Sequence, residues 1–118
     1  MEPGNFQWFD RGVIYRGYTA DNDIMLVWGE PTKEQLTMLD SMKATYREAL
    51  EPWRPGRPIK ESAQDTLKVE HQHGVVDPPE GQFVGHNLGN EIIEKPWLGV
   101  GCPRDPCLEV DMVIAPEQ

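Results

Sequence analysis

The sequence predicts an α+β domain, in which an N-terminal β-hairpin and one amphipathic helix accompany a mostly antiparallel sheet. Two β-rich runs near the start, one strongly helical segment and short alternating runs after it lead to this prediction. A length of 118 residues fits one small acidic domain, 1–118, and eleven prolines and eleven glycines indicate Pro/Gly-rich loops between short elements.

The first 28 residues contain the predicted hairpin. Residues 6–28 are rich in β-branched, aromatic and aliphatic side chains, which favour strands. Within this run, residues 20–23 (Ala-Asp-Asn-Asp) have turn chemistry, because Asx side chains can bond to their own backbone. We therefore expect the hairpin to turn at 20–23.

The segment 32–50 has the clearest helical pattern. Thr32 and Gln35 form a capping-box sequence at its start, and Glu51-Pro52 disfavours continuation of the helix. Apolar residues recur at steps of three and four, which predicts one buried stripe. The stripe consists of Leu36, Leu39, Met42, Tyr46 and Leu50.

A stiff, Pro-rich linker is predicted at 52–58, where three prolines favour extended backbone. Its Trp53, Arg54 and Arg57 form an aromatic and basic cluster, and Trp97 also lies beside a proline. Because Trp and Arg dominate binding hot spots, these four residues are the candidates for contact with a protein partner. The alternative for Trp53 is a loop residue that covers the core of its own domain.

Residues 66–76 alternate between apolar and polar side chains, which predicts a strand. Short strands at 82–88 and 107–114, joined by a Pro/Gly loop at 96–107, complete the predicted sheet. The face of the first strand that we expect to point inward holds Leu67, Val69, His71, His73 and Val75.

All histidines and cysteines lie between residues 71 and 107. On one strand, His71 and His73 would point the same way, and His86 could join them across a turn at 77–81. Neutral imidazole suits zinc or iron, so these three residues are the candidate metal ligands. Cys102 and Cys107 are a weaker candidate pair, with two ordinary thiols or a local disulfide as the alternatives. No catalytic residue is identified, because nucleophile-elbow and phosphate-loop motifs are absent from the sequence.

The net charge is −9, and most acids lie in residues 61–118. An acidic surface repels phosphate backbones, which argues against direct nucleic-acid binding. No window reaches the roughly 18 apolar residues of a membrane span, and the first residues lack a signal-peptide pattern. We therefore expect a cytoplasmic protein or a soluble virus or phage component.

Two classes of function follow. The main hypothesis is a small acidic, non-enzymatic accessory or interaction protein, such as a phage or bacterial component, an inhibitor or the small subunit of a larger complex. It would bind a protein partner or a second copy of itself, with no cofactor. The alternative is a small metal-binding domain or metal-dependent enzyme that uses the His-x-His strand with zinc or iron. A third hypothesis is a nucleic-acid mimic built on residues 61–118.

Overall fold

The computed structural model describes residues 2, 4–75 and 83–117. β1 and β2 form a two-stranded antiparallel sheet, and β3 lies between β4 and β5 in a three-stranded antiparallel sheet. Two helices accompany these sheets, so the predicted α+β class with its N-terminal hairpin is confirmed. The elements in chain order are β1 (Phe6–Tyr15), β2 (Tyr18–Val27), α1 (Lys33–Ala49), α2 (Ile59–Gln72), β3 (Phe83–Asn87), β4 (Glu94–Gly99) and β5 (Ile114–Pro116).

The hairpin turns at Arg16-Gly17, earlier than predicted. Both residues have positive φ, 53° and 88°, as a two-residue type I′ turn requires. The register then runs unbroken along both strands. The prediction of a turn at 20–23 is therefore wrong, and Asp21 and Asp23 are alternate residues of β2 that share one face.

The predicted helix at 32–50 is present as α1. The Gln35 N–H donates to Thr32 Oγ1 over 3.2 Å, and the Thr32 N–H donates to Gln35 Oε1 over 2.8 Å. These two bonds complete the predicted capping box. The local sequence therefore determines where this helix begins.

The predicted buried stripe of α1 is wrong. The helix turns Thr45 and Ala49 inward, and the small Ala49 allows α2 to approach closely. Thr66 Oγ1 of α2 donates to the Ala49 carbonyl oxygen over 2.9 Å. Three residues of the predicted stripe are instead exposed: Leu36, Met42 and Tyr46.

The predicted strand at 66–76 is also wrong, because residues 59–72 form α2. Its buried residues recur at helical steps of three and four, beginning before the alternating run. His71 and His73 therefore lie at the C-terminal end of a helix and share no strand face. The buried residues are Ile59, Ser62, Ala63, Thr66 and Glu70.

The core lies between α2 and the three-stranded sheet. Leu98 of β4 is fully buried there, and Trp53 packs against the cluster from the linker. Trp53 Nε1 donates to Thr66 Oγ1 over 2.9 Å, so this indole covers the core of its own domain. The buried apolar residues are Ile59, Ala63, Val84, Leu98 and Leu108.

The predicted strand at 107–114 is wrong over most of its length, since β5 begins at Ile114. Val110 is 72% exposed, and Asp111 has a φ of 69°, which interrupts an extended strand. The predicted turn at 77–81 lies outside the described residues. Within the described part of the chain, no helix is long and apolar enough to cross a membrane.

Candidate metal centre

Three side chains converge: Asp21 of β2, His86 of β3 and Glu117, which directly follows β5. The ring of His86 is buried, and its Nε2 lies 3.3 Å from Asp21 Oδ2 and 3.0 Å from Glu117 Oε1. The three ligand atoms all lie within 4.8 Å of one another. One imidazole and two carboxylates therefore meet where β2, β3 and the end of β5 come together.

The pairing of β5 with β3 brings Glu117 to this site. Ala115 lies opposite His86 in the register, and the Glu117 N–H donates to the Val84 carbonyl oxygen over 3.0 Å. Gly85 allows this close approach, because a side chain there would collide with the Ala115 carbonyl oxygen. Its φ of +135° also favours glycine.

The hydrogen bond at Nδ1, on the other side of the His86 ring, determines whether Nε2 of the neutral ring presents a proton or a lone pair. Nδ1 lies 3.0 Å from the Asn87 carbonyl oxygen, which only accepts, so Nδ1 carries a proton and donates. In the neutral ring, Nε2 therefore directs a lone pair towards two carboxylate oxygens. Metal-binding histidines commonly donate their other N–H to a backbone carbonyl in this way. The donor set therefore fits a divalent metal ion.

Two more carboxylates lie on the same face of the hairpin as Asp21. Asp10 and Asp23 are directly opposed across the two strands, and Gly12 is opposite Asp21. Partial burial and the negative charges of Asp10 and Asp21 raise the pKa of Asp23. Like charges placed opposite one another destabilise a sheet, so a cation beside this face would relieve the repulsion.

A cleft of about 300 Å³ opens beside Asp21 and Glu117. This volume is at the lower end of the range for small-molecule sites. The ligand cluster therefore borders a space that can take a small substrate. The other residues that line the cleft are Asn22, Asp23, Tyr46, Leu88, Ile114, Ala115 and Pro116.

The structure separates the three predicted histidine ligands. His86 joins the carboxylates, whereas His73 Nε2 lies 3.0 Å from Glu48 Oε2 and links α2 to α1. His71 is exposed in the last turn of α2. Among the described residues, the one group of three or more potential metal ligands consists of Asp21, His86 and Glu117.

Cys102 and Cys107 are both free thiols, so the predicted alternative of a local disulfide is not what the structure shows. Cys102 Sγ donates to the Trp97 carbonyl oxygen over 3.0 Å. Burial raises the pKa of the Cys102 thiol, which disfavours the thiolate that a metal site needs.

The residues predicted to contact a partner have contacts within the chain. Arg54 pairs with Glu51, and Arg57 lies 2.7 Å from Asp65. Trp97 remains 45% exposed and packs on one side against Phe83, with ring centroids 5.1 Å apart. A protein partner at Trp53, Arg54, Arg57 and Trp97 stays a prediction.

Asp21 and Glu117 were not among the metal ligands predicted from the sequence. The signal for Asp21 was Arg16-Gly17: a turn there makes Asp21 a strand residue on the same face as Asp10. Glu117 had no local signal, because its position depends on the pairing of β5 with β3, which places it beside a histidine 31 residues earlier in the chain.

This cluster has the donor set of a possible metal-binding site, and comparison with known proteins identifies the family. The sequence profile of metallopeptidase family M24 matches residues 1–117, so the chain belongs to this family. It is 25% identical over 121 residues to the Xaa-Pro dipeptidase of Lactobacillus delbrueckii subsp. lactis, covering 99% of this chain and 31% of that protein. It is 26% identical over 119 residues to an uncharacterized peptidase of Staphylococcus aureus strain USA300, covering 99% and 32%.

Two solved structures share the fold. The prolidase from Pyrococcus furiosus has a TM-score of 0.76 at 24% identity, covering 97% of this chain and 33% of its own. The X-Pro aminopeptidase from Thermotoga maritima MSB8 has a TM-score of 0.78 at 24% identity, covering 96% and 31%. The chain thus spans about a third of the length of the relatives that it matches.

Family membership corrects the main functional hypothesis. A non-enzymatic accessory protein, inhibitor or phage component is wrong, because the chain belongs to a family of metallopeptidases. The alternative of a metal-dependent enzyme is the better one, although His71 and His73 do not form its site with His86. The prediction of no cofactor is corrected in the same way, since a metallopeptidase family implies a metal.

Proposed function

We propose that this chain carries a catalytic metal centre of a peptidase, in which Asp21, His86 and Glu117 bind a divalent ion. The observation that carries the proposal is the buried His86, whose Nε2 faces two carboxylates in a chain of a metallopeptidase family. One nitrogen and two oxygen donors suit first-row ions such as manganese, iron, cobalt and zinc. Such an ion supplies Lewis-acid chemistry that polarises a carbonyl and lowers the pKa of water.

Each residue has a distinct role in this proposal. His86 is held in one orientation by its burial and by the Asn87 carbonyl oxygen, so it presents Nε2 without rearrangement. Asp21 is fixed within β2, and Glu117 lies on the more exposed side, towards the cleft. Asp10 is a candidate for a further carboxylate donor, because it shares the face of Asp21 on the neighbouring strand.

The proposed substrates are short peptides cut close to their amino end, with the bond before proline as the first candidate. The names of the relatives, Xaa-Pro dipeptidase and prolidase, support this substrate class. The cleft of about 300 Å³ suits a short peptide. Asp21, Asp23 and Glu117 give its wall a negative charge, which attracts a protonated amino terminus.

The test is hydrolysis of an Ala-Pro dipeptide by the protein, first stripped of metal by chelation and then reloaded with manganese, cobalt or zinc. We expect metal-dependent release of proline that falls more than about 100-fold in His86→Ala and Asp21→Asn, beyond the loss typical of outer-shell partners. His73→Ala is the matched control, since this histidine pairs with Glu48 outside the cluster.

Two results would count against the proposal. One is hydrolysis that proceeds equally well without metal and in His86→Ala. The other is a protein that binds the metal through His86 but cleaves neither Ala-Pro nor other short peptides.

A further inference from the structure

We propose that Thr19 is a positioning residue for the proposed metal centre. Its hydrogen bonds clamp the loop after β3 and so hold His86 against Asp21. The inference rests on the proposed metal centre. Thr19 lies two residues before Asp21 on the same face of β2, and the clamped loop, residues 88–91, follows closely after His86.

The clamp consists of hydrogen bonds from one residue to two carbonyl groups. The Thr19 N–H donates to the Gly89 carbonyl oxygen over 2.8 Å. Thr19 Oγ1 lies 2.8 Å from the Glu91 carbonyl oxygen and 3.0 Å from that of Gly89. A hydroxyl has one proton, so these two carbonyl oxygens compete for it, and the contact to Glu91 is the shorter.

The clamp joins the two sheets that supply the ligands. Asp21 belongs to the β1–β2 sheet and His86 to the β3–β4–β5 sheet, yet their ligand atoms lie 3.3 Å apart. Ligand geometry must be held to a fraction of an ångström for a metal site to function well. Bonds from β2 to the loop after β3 hold these two strands together next to the ligands.

The loop has other attachments, so loss of the Thr19 hydroxyl is expected to loosen it without unfolding the domain. The Glu91 N–H donates to Glu94 Oε1 over 2.9 Å, and the Leu88 N–H donates to the Val113 carbonyl oxygen over 2.9 Å. Just after the loop, Ile92 packs so closely over Gly12 that a methyl group there would come within 2.5 Å of its Cδ1.

The test is a titration of the metal-free protein with cobalt(II), followed by visible absorption. Thr19→Val removes the hydroxyl but keeps a β-branched side chain suited to a strand. We expect it to weaken cobalt binding about tenfold, the lower end of the range for residues that orient metal ligands. Thr19→Ser keeps the hydroxyl and is expected to bind as the wild type does.

Thr37→Val is the matched control. Thr37 Oγ1 also donates to a backbone carbonyl, that of Lys33 at 2.9 Å, but it lies on an exposed face of α1. This variant is expected to bind cobalt normally. Amide hydrogen exchange of the metal-free protein gives a second readout, because Thr19→Val should speed exchange at Gly89 and Glu91 whereas Thr37→Val should not. Thr19→Ala replaces Thr19→Val if the valine variant does not fold.

The outcomes separate this inference from the proposed function. If His86→Ala loses cobalt binding but Thr19→Val keeps wild-type affinity, the clamp is overturned and the metal centre stands. If Thr19→Ser is weakened as much as Thr19→Val, packing rather than the hydroxyl is responsible, and the clamp is again overturned. If the wild type binds no cobalt, the proposed centre falls and the clamp falls with it.

Discussion

A buried histidine beside two carboxylates needs balanced charges, because isolated charges are costly to remove from water. A cation between Nε2 of His86 and the oxygens of Asp21 and Glu117 would meet this condition. The bond from Nδ1 to the Asn87 carbonyl oxygen fixes which nitrogen faces them. At the scale of residues, the proposed metal site therefore depends on one ring and its two acidic neighbours.

Gly85 provides a test at this scale, because it permits β5 to approach β3 next to His86. Gly85→Ala is expected to displace β5 and with it Glu117, lowering stability by roughly 1–3 kcal/mol and weakening metal binding. Urea unfolding and a metal titration measure the two effects.

Gly56→Ala is the matched control for this substitution. Gly56 also has a positive φ, +87°, but a side chain there would meet open space. The control should therefore lose some stability through strain while keeping normal metal affinity. Equal effects of the two substitutions on metal binding would show that the approach of β5 is unimportant.

At the scale of elements, the parts of the fold specified by local sequence were predictable. The capping box of Thr32 and Gln35 identified the start of α1, and the β-rich residues identified the hairpin. The turn was misplaced because Asp21, Asn22 and Asp23 have turn chemistry but serve as strand residues. Of these three residues, Asp21 contacts His86, so its carboxylate belongs to the candidate site.

α2 was missed because its sequence satisfies two patterns at once. Leu67, Val69 and His71 alternate as in a strand, yet the buried face is set by residues that begin at Ile59 with helical spacing. Taken alone, the residues from 66 onward show only the strand-like alternation. The predicted metal site of three histidines was wrong for this reason, since two of its three ligands were assigned to a strand where the structure has a helix.

The Arg57–Asp65 ion pair joins the 52–58 linker to α2, so its strength should depend on the ionisation of Asp65. The guanidinium of Arg57 and the ammonium of Lys68 lower the pKa of Asp65 in the folded state. Stability from this group is therefore present above the unfolded aspartate pKa of about 3.9 and is lost as pH falls through the lower folded value.

Asp65→Asn is expected to lower the free energy of unfolding at neutral pH by less than about 1 kcal/mol, because the pair is partly exposed. The difference in free energy of unfolding between the variant and the wild type should shrink as the pH falls through the range in which aspartate becomes protonated. Thermal unfolding at several pH values measures it. Asp40→Asn, which removes an exposed carboxylate 3.5 Å from Lys43, is the control for loss of one charge. A difference that is independent of pH would contradict this account.

At the scale of the whole molecule, the ligands come from distant parts of the chain. Asp21, His86 and Glu117 meet only when the hairpin and the three-stranded sheet come together. His86 could be selected from the sequence because histidine is rare in this chain, whereas two carboxylates among twenty acidic residues could not be. The net charge of −9 suggested an interaction protein, but Asp10, Asp21 and Asp23 share one face of the hairpin and Glu117 lies beside Asp21 in one cluster.

The proposed binding of a divalent metal by Asp21, His86 and Glu117 can be measured as the metal content of the protein. The measurement is inductively coupled plasma mass spectrometry of the wild type, His86→Ala and His73→Ala after equilibrium dialysis against manganese or zinc. We predict about one ion per chain or more in the wild type and in His73→Ala, and a clear loss in His86→Ala. Equal metal content in His86→Ala and the wild type, or no retained metal in any of the three, would show that His86 does not hold a metal in this protein.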